Sequence, residues 1–238
     1  MNAWGAQLAD EFFFALNECH DDDECRVVIV TGEGRAFCAG ADAQGRFDPN
    51  SETTEEKKRR LLREDAKKSW EITRFHDISL KMRQPVVCAI NGGCVGIGLS
   101  MALACDLRFA SADAKVGVIF PQRGLIAEDG MGYYLPRLMG TGDALMMLLT
   151  GEVRKASEWP QGMFQNIFPT QDALKEGTIA FAKALAINSS PSSMAVIKKQ
   201  VFTLPHMSLL DSQIVNDQVQ AATTDPTPGV NPDHEEGL

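Results

Sequence analysis

Apolar and polar positions follow two different periods along this chain, and the switches between them mark out its elements. Residues 6–18 place Ala6, Leu8, Phe12, Phe13, Ala15 and Leu16 at helical spacing, and Asp21-Asp22-Asp23 closes the run. Arg26 to Thr31 reads as a β-branched strand and is closed by Gly32-Glu33-Gly34. Residues 86–90 and 107–110 read as two more strands, joined by a glycine-rich turn and a short helix over 99–104. A polar, charge-rich stretch from about 45 to 68 leads into Trp70, Ile72, Phe75, Ile78 and Leu80. That spacing predicts a long helix with a mobile front end. From 141 onward helices dominate, at 144–149, 173–186 and 192–201, with the cluster Leu145 to Leu149 expected in the core. Residues 158–163 read as irregular, and so does the Pro-, Thr- and Asp-rich tail after Ala222. Strand, glycine turn, helix, strand is the repeat of an α/β fold with parallel strands.

Composition narrows the classes. The 238 residues are 44% hydrophobic and 23% charged, as in an ordinary globular protein, with length for one large domain or a domain and a helical appendage. A net charge of −9 argues against a nucleic-acid surface, so the cations for any anionic ligand must be local. No apolar run is long enough to span a membrane, and Met1-Asn2-Ala3-Trp4 does not read as a signal peptide. Glu236-Gly237-Leu238 carries no peroxisomal or retention signal, so a cytoplasmic location is expected. Six cysteines without CxxC spacing predict buried free thiols and no metal site.

Candidate chemistry lies in two small-residue stretches, Phe37-Cys38-Ala39-Gly40-Ala41-Asp42 and Gly92-Gly93-Cys94-Val95-Gly96-Ile97-Gly98. Each ends an apolar run, and the second opens into a helix. Small residues let a ligand approach the backbone, and a helix N-terminus offers N–H groups that no intrahelical carbonyl accepts. Two such donors, converging, would hold an oxygen that gains negative charge during a reaction.

These motifs, with Pro85 through Asn91-Gly92, Cys105-Asp106, Leu135-Pro136-Arg137, Gly140 and Leu149-Thr150-Gly151, resemble the crotonase (enoyl-CoA hydratase/isomerase) superfamily over nearly the whole chain. The resemblance implies a spiral of ββα units over 1–187 and a C-terminal helical trimerisation region with its tail over 188–238. It also implies acyl-CoA thioesters as substrates in fatty acid metabolism, no permanently bound cofactor, and assembly into trimers or dimers of trimers. Carried over by motif, the oxyanion donors are the backbone N–H groups of Ala41 and Ile97. The implied substrate contacts are Ala39, Gly40, Asp42, Ala43, Gln44, Gly96, Gly98 and Phe120.

The hydratases of that superfamily hold a water between two glutamates, at positions occupied here by Ser100 and Phe120. Both acids are absent, so that mechanism does not transfer. Glu128 instead matches the single acid of several isomerases and of the aryl-CoA dehalogenases in the superfamily. A carboxylate in an apolar pocket can take and return a proton near neutral pH, which suffices to move a double bond. An isomerase with Glu128 as acid and base is therefore expected. The alternatives are a hydratase with a non-standard site, a non-catalytic scaffold and a thioester hydrolase. Asp129 is expected to cap the following helix, Ser100 to pack, and Arg123 and His76 to lie at the surface. The resemblance further implies a strand pair ahead of Asn2 and a final helix after the last residues, neither of which this sequence carries.

Overall fold

Strands enter two sheets by turns, because each apolar strand is followed at once by a short one that crosses to the other layer. The computed structural model describes residues 1–42 and 71–223. In chain order these hold α1 (Ala6–Asp21), β1 (Val28–Thr31), β2 (Ala36–Cys38), α2 (Phe75–Leu80), β3 (Val86–Ile90), β4 (Gly93–Val95), α3 (Ile97–Ala104), β5 (Leu107–Ser111) and β6 (Lys115–Gly117). Then come α4 (Met131–Met139), α5 (Thr141–Thr150), β7 (Val153–Lys155), β8 (Asn166–Phe168), α6 (Gln171–Asn188), α7 (Pro191–Thr203) and α8 (Leu209–Thr223). One sheet runs β1-β3-β5-β8, all parallel; the other runs β2-β4-β6-β7. Only the β6–β7 pairing is antiparallel among the described strands. The units β1β2, β3β4 and β5β6 each add one strand to each sheet, which is the expected spiral of ββα turns. Strand β3 is buried along its whole length, as an apolar run in the middle of a parallel sheet should be.

Several boundaries move for identifiable reasons. Strand β1 begins at Val28, not Arg26, whose guanidinium instead donates to the Ser189 carbonyl at 3.0 Å. Strands β2, β4 and β6 have three residues each, too few to leave a period in the sequence. The helix expected over 70–80 is described only as α2, starting at Phe75. Buried Asp77 sets that start by accepting the Thr73 and Arg74 N–H groups at 2.9 and 3.0 Å. Trp70 and the 45–68 stretch lie outside the described residues. The Leu145–Leu149 cluster is not all core: Met147 is fully buried, whereas Leu145, Met146 and Leu149 form an exposed face of α5. The N-cap of α4 is Gly130, so Asp129 is not its cap residue.

Two buried devices fix the frame. The Lys198 ammonium of α7 contacts Asp106 Oδ2 at 2.7 Å and donates to the Gln84 carbonyl at 3.1 Å, tying the C-terminal helices to the end of α3. Burial pushes the Asp106 carboxyl up and the Lys198 ammonium down, each towards neutrality, and their mutual attraction works against it. Buried Arg108 donates to the Cys105 carbonyl at 2.8 Å, an acceptor at the end of α3, and to the Met163 carbonyl at 3.2 Å, which ties that helix end to the segment before β8. At the other end, Trp4, Phe12, Phe13 and Phe75 pack as one aromatic group, with Trp4 and Phe75 centroids 4.9 Å apart. Cys38, Cys88, Cys94 and Cys105 are buried free thiols; Cys19 and Cys25 are free and half-buried.

Candidate active site

The two glycine turns predicted from sequence meet at the end of the β2–β4 pair, where Cys38 lies opposite Cys94. The first turn is pinned by Trp4, whose N–H donates to the Gly40 carbonyl at 2.8 Å and whose carbonyl accepts the Asp42 N–H at 2.9 Å. That is a parallel bridge between Trp4 and Ala41, and in such a bridge the N–H of Ala41 itself points away from Trp4. Gly40 has φ 109°, and a Cβ there would sit 3.3 Å from the Val95 carbonyl oxygen of the second turn.

The second turn reaches α3 through Gly96, at φ 58° and ψ −122°, a conformation that glycine alone adopts readily. The Gly96 N–H donates to the Gly117 carbonyl at 3.1 Å, and its carbonyl accepts the Leu99 and Ser100 N–H groups at 2.8 and 3.1 Å. Ile97, first residue of the helix, is left with an N–H that reaches no backbone carbonyl among the described residues. The same holds for Ala41. Gly98 then packs so closely on β2 that a Cβ would lie 2.4 Å from the Cys38 carbonyl oxygen. Chain direction at Ala41 and at Ile97 is thus set by backbone packed on backbone.

The other predicted residues fall around this point. Ala39 and Ala41 are exposed and Asp42 and Ile97 half-buried, so the site opens on one side to solvent; Ala43 and Gln44 lie outside the described residues. Phe120 is buried, its ring 3.9 Å from where a Gly96 Cβ would stand, so an apolar ring lies against the glycine turn. Ser100, one turn into α3, is 0% exposed. Neither position carries a carboxylate.

Glu128 lies between a short turn of 3₁₀ helix, Pro121–Arg123, and α4. Its carbonyl accepts the Met131 N–H at 3.1 Å, and the next two residues, Asp129 at φ 50° and Gly130 at φ 80°, turn the chain sharply into the helix. Met131 is fully buried, and α4 packs on α3, so this end of the loop is anchored. The side chain is nevertheless exposed, as are Ile126, Ala127, Asp129 and Gly130. The apolar pocket expected around Glu128 is therefore not formed among the described residues. Residues 121–130 are a surface strap, and an apolar surrounding would have to come from whatever covers it. Arg123 and His76 are exposed, in line with the surface roles expected for them.

Two features of the site escaped the sequence. Trp4 as the clamp on Ala41 left no local signal, since it comes from 37 residues away. The Ser100 hydroxyl, buried with no hydrogen-bond partner, had one: it is the single polar side chain in a helix otherwise made of apolar and small residues. Among the described residues, no group of three His, Cys, Asp or Glu side chains is placed to hold a metal. No helix there is long and apolar enough to cross a membrane.

Comparison with known proteins gives this geometry a context. The sequence model of the family Enoyl-CoA hydratase/isomerase matches residues 1–227. An enoyl-CoA hydratase of Alternaria alternata is 29% identical over 205 residues, covering 86% of this chain. The chain spans only 66% of that relative's own length. A mitochondrial Δ(3,5)-Δ(2,4)-dienoyl-CoA isomerase of Pongo abelii is 27% identical over 244 residues, covering 93% of this chain and 72% of its own. The crystal structure of an enoyl-CoA hydratase from Bacillus anthracis superposes with a TM-score of 0.79 at 28% identity, covering 93% of this chain and 81% of that one.

Proposed function

The chain belongs to the enoyl-CoA hydratase/isomerase family, and from that premise we propose that it shifts a double bond within an acyl-CoA thioester. The Ala41 and Ile97 N–H groups hold the thioester oxygen. Glu128 removes a proton from the second carbon of a 3-enoyl-CoA, and the electron pair moves onto that oxygen as an enolate. The same carboxyl group returns the proton at the fourth carbon, which leaves the double bond at the 2-position. Coenzyme A enters and leaves as part of the substrate, and no resident cofactor takes part.

One observation carries this reading. Two backbone N–H groups free of backbone acceptors stand on turns packed directly against each other, while Ser100 and Phe120 supply no acid. Such a pair of donors would stabilise an enolate, and positions 100 and 120 carry no carboxylates to hold a water. Family membership is equally compatible with hydration, since relatives with both names match the chain. Parallel assays with 2-enoyl- and 3-enoyl-CoA separate the two. The expected result is isomerisation of the 3-enoyl substrate, a loss of at least 100-fold in Glu128→Ala, and CoA affinity within about threefold of the parent. Unchanged turnover in that variant refutes the role of Glu128. Formation of 3-hydroxyacyl product as the main activity refutes isomerisation.

The proposed assembly is a homotrimer. Its support is the apolar surface of the C-terminal helices, where Ile197, Val201, Leu209 and Leu210 are all exposed in the single chain. Light scattering on the purified protein tests it.

A further inference from the structure

We propose that Cys19 and Cys25 form a redox modification site, closing to a disulfide under peroxide and reopening with a dithiol. The two residues stand on either side of the turn from α1 into β1, with His20 to Glu24 between them. That turn is tightly bonded. The Asp22 N–H donates to the Glu18 carbonyl at 3.1 Å, the Glu24 N–H to Asp22 Oδ1 at 2.9 Å, and the Cys25 N–H to the Asp22 carbonyl at 3.2 Å. Asp22 itself is extended, at φ −83° and ψ 113°, so the chain leaves the helix there. It returns the Cys25 thiol to hydrogen-bonding reach of Cys19, in the last turn of α1. Thiols already in contact can be joined without the backbone movement that a distant pair requires.

Exposure separates this pair from the other four cysteines. Cys19 and Cys25 are half-buried, beside the exposed residues Asp21 to Glu24, so a small oxidant can reach them. Cys38, Cys88, Cys94 and Cys105 are at most 1% exposed. The two sulfurs also have different parts to play. Burial, and then the neighbouring Cys19 sulfur, push the Cys25 thiol up to about 11, against the pull of Arg83. Cys25 therefore keeps its proton, and Cys19 is the sulfur that attacks. The Cys19 thiolate takes one oxygen of hydrogen peroxide to become a sulfenic acid, and the other oxygen leaves as hydroxide. The Cys25 sulfur then attacks the sulfenic sulfur, the S–O bond breaks, and the Cys25 proton leaves with that oxygen as water. The two sulfurs lose two electrons, and the O–O bond takes them. A dithiol reverses the step by exchange. The bond would staple a corner that is already tied: the Cys19 carbonyl accepts Gln84 Nε2 at 2.8 Å, and the Gln84 carbonyl accepts Lys198 Nζ at 3.1 Å.

Peroxide treatment of the folded, reduced chain tests this by peptide mass. Residues 1–26 carry no lysine or arginine before Arg26, so trypsin releases Cys19 and Cys25 in one peptide without any other cysteine. That peptide is expected to become lighter by two hydrogen atoms and to regain them with dithiothreitol, while the four buried cysteines stay unmodified. Closing the loop over residues 19–25 should also raise the thermal midpoint by about 5 °C. Cys25→Ser should show neither the mass loss nor the rise. A peptide that keeps both thiol hydrogens, or that gains oxygen on its cysteines instead, overturns the proposal. So does an equal rise of the midpoint in Cys25→Ser. Mass loss with an unchanged midpoint overturns the staple and leaves only the modification.

Discussion

Gly98→Ala is the most direct test of how the two turns are held together. A methyl group at residue 98 would lie 2.4 Å from the Cys38 carbonyl oxygen and 2.8 Å from its Cβ, both part of or next to strand backbone. Ordinary contact needs about 3.5 Å, so α3 and β2 must part by about 1 Å. Alanine is favoured over glycine inside a helix by about 1 kcal/mol, and overpacking of this kind costs about 1–3 kcal/mol. The net loss is therefore at most about 2 kcal/mol, or up to about 8 °C in thermal midpoint for a chain of this length. Catalysis should suffer far more. A 1 Å misplacement of a reacting geometry costs about 100-fold, and loss of one oxyanion donor costs about 100- to 1,000-fold. The assay pairs kcat on a 3-enoyl-CoA with thermal denaturation, alongside Gly142→Ala in α5. Nothing lies within 4 Å of a Cβ at residue 142, so that variant should gain up to about 1 kcal/mol and keep its activity. If folded Gly98→Ala retains kcat within threefold of the parent, the Ile97 and Ala41 donors do not act as a pair and the oxyanion argument fails.

Two further perturbations probe the frame. Lys198→Met leaves the buried Asp106 carboxylate without its cation, which should cost about 3–5 kcal/mol in chemical denaturation. Adding Asp106→Asn should recover part of that loss, and a strictly additive double variant would show that the pair is not coupled. At Asp77, burial alone would push the carboxyl up, but the Thr73 and Arg74 N–H groups and Lys81 more than reverse it, holding it below its usual 3.8. A depressed carboxyl adds stability above its unfolded value and loses it as the pH falls through the folded one. Stability should therefore fall below about pH 4, and Asp77→Asn should flatten that part of the curve while lowering stability at pH 7. An unchanged acid limb in the variant would refute the assignment.

The fold was legible wherever the chain repeats itself. Residues 86–90 announce a central parallel strand because they are buried on both faces and apolar throughout, and 107–110 announce another despite buried Arg108 within the run. Residues 173–186 announce a helix for the complementary reason, an apolar stripe at 3.6-residue spacing. The three-residue strands β2, β4 and β6 carry no such period, yet they form the sheet on which the site is built. The Ala41 and Ile97 turns were legible because close backbone approach leaves few residue types to choose from. Burial of Glu128 was not legible. Whether a loop residue is dry depends on what covers it, and sequence spacing records only its own strand of chain. Leu145 and Met146 failed in the same way, since the sequence shows that a side chain is apolar but not whether this chain supplies its cover.

The proposed proton carrier lies on an exposed loop and the proposed oxyanion donors on closely packed backbone, and this bears on which reaction is proposed. The Ala41 and Ile97 N–H groups sit on backbone wedged against Cys38 and Val95, with no slack for a methyl group. An oxyanion site of the proposed kind would stabilise any enolate or tetrahedral oxyanion placed in it and so would not select between isomerisation, hydration and hydrolysis. Selection must come from groups that meet the rest of the acyl chain. Phe120 excludes a second acid, Glu128 offers one carboxylate on an exposed strap, and Ser100 offers a buried hydroxyl with no internal partner. A double-bond shift by the proposed route needs only the Glu128 carboxylate. Addition of water would need a second group as well, to hold the nucleophile that Glu128 would deprotonate. The choice between the two activities of the family therefore turns on whether a second polar group meets a water beside Glu128 when a thioester is bound.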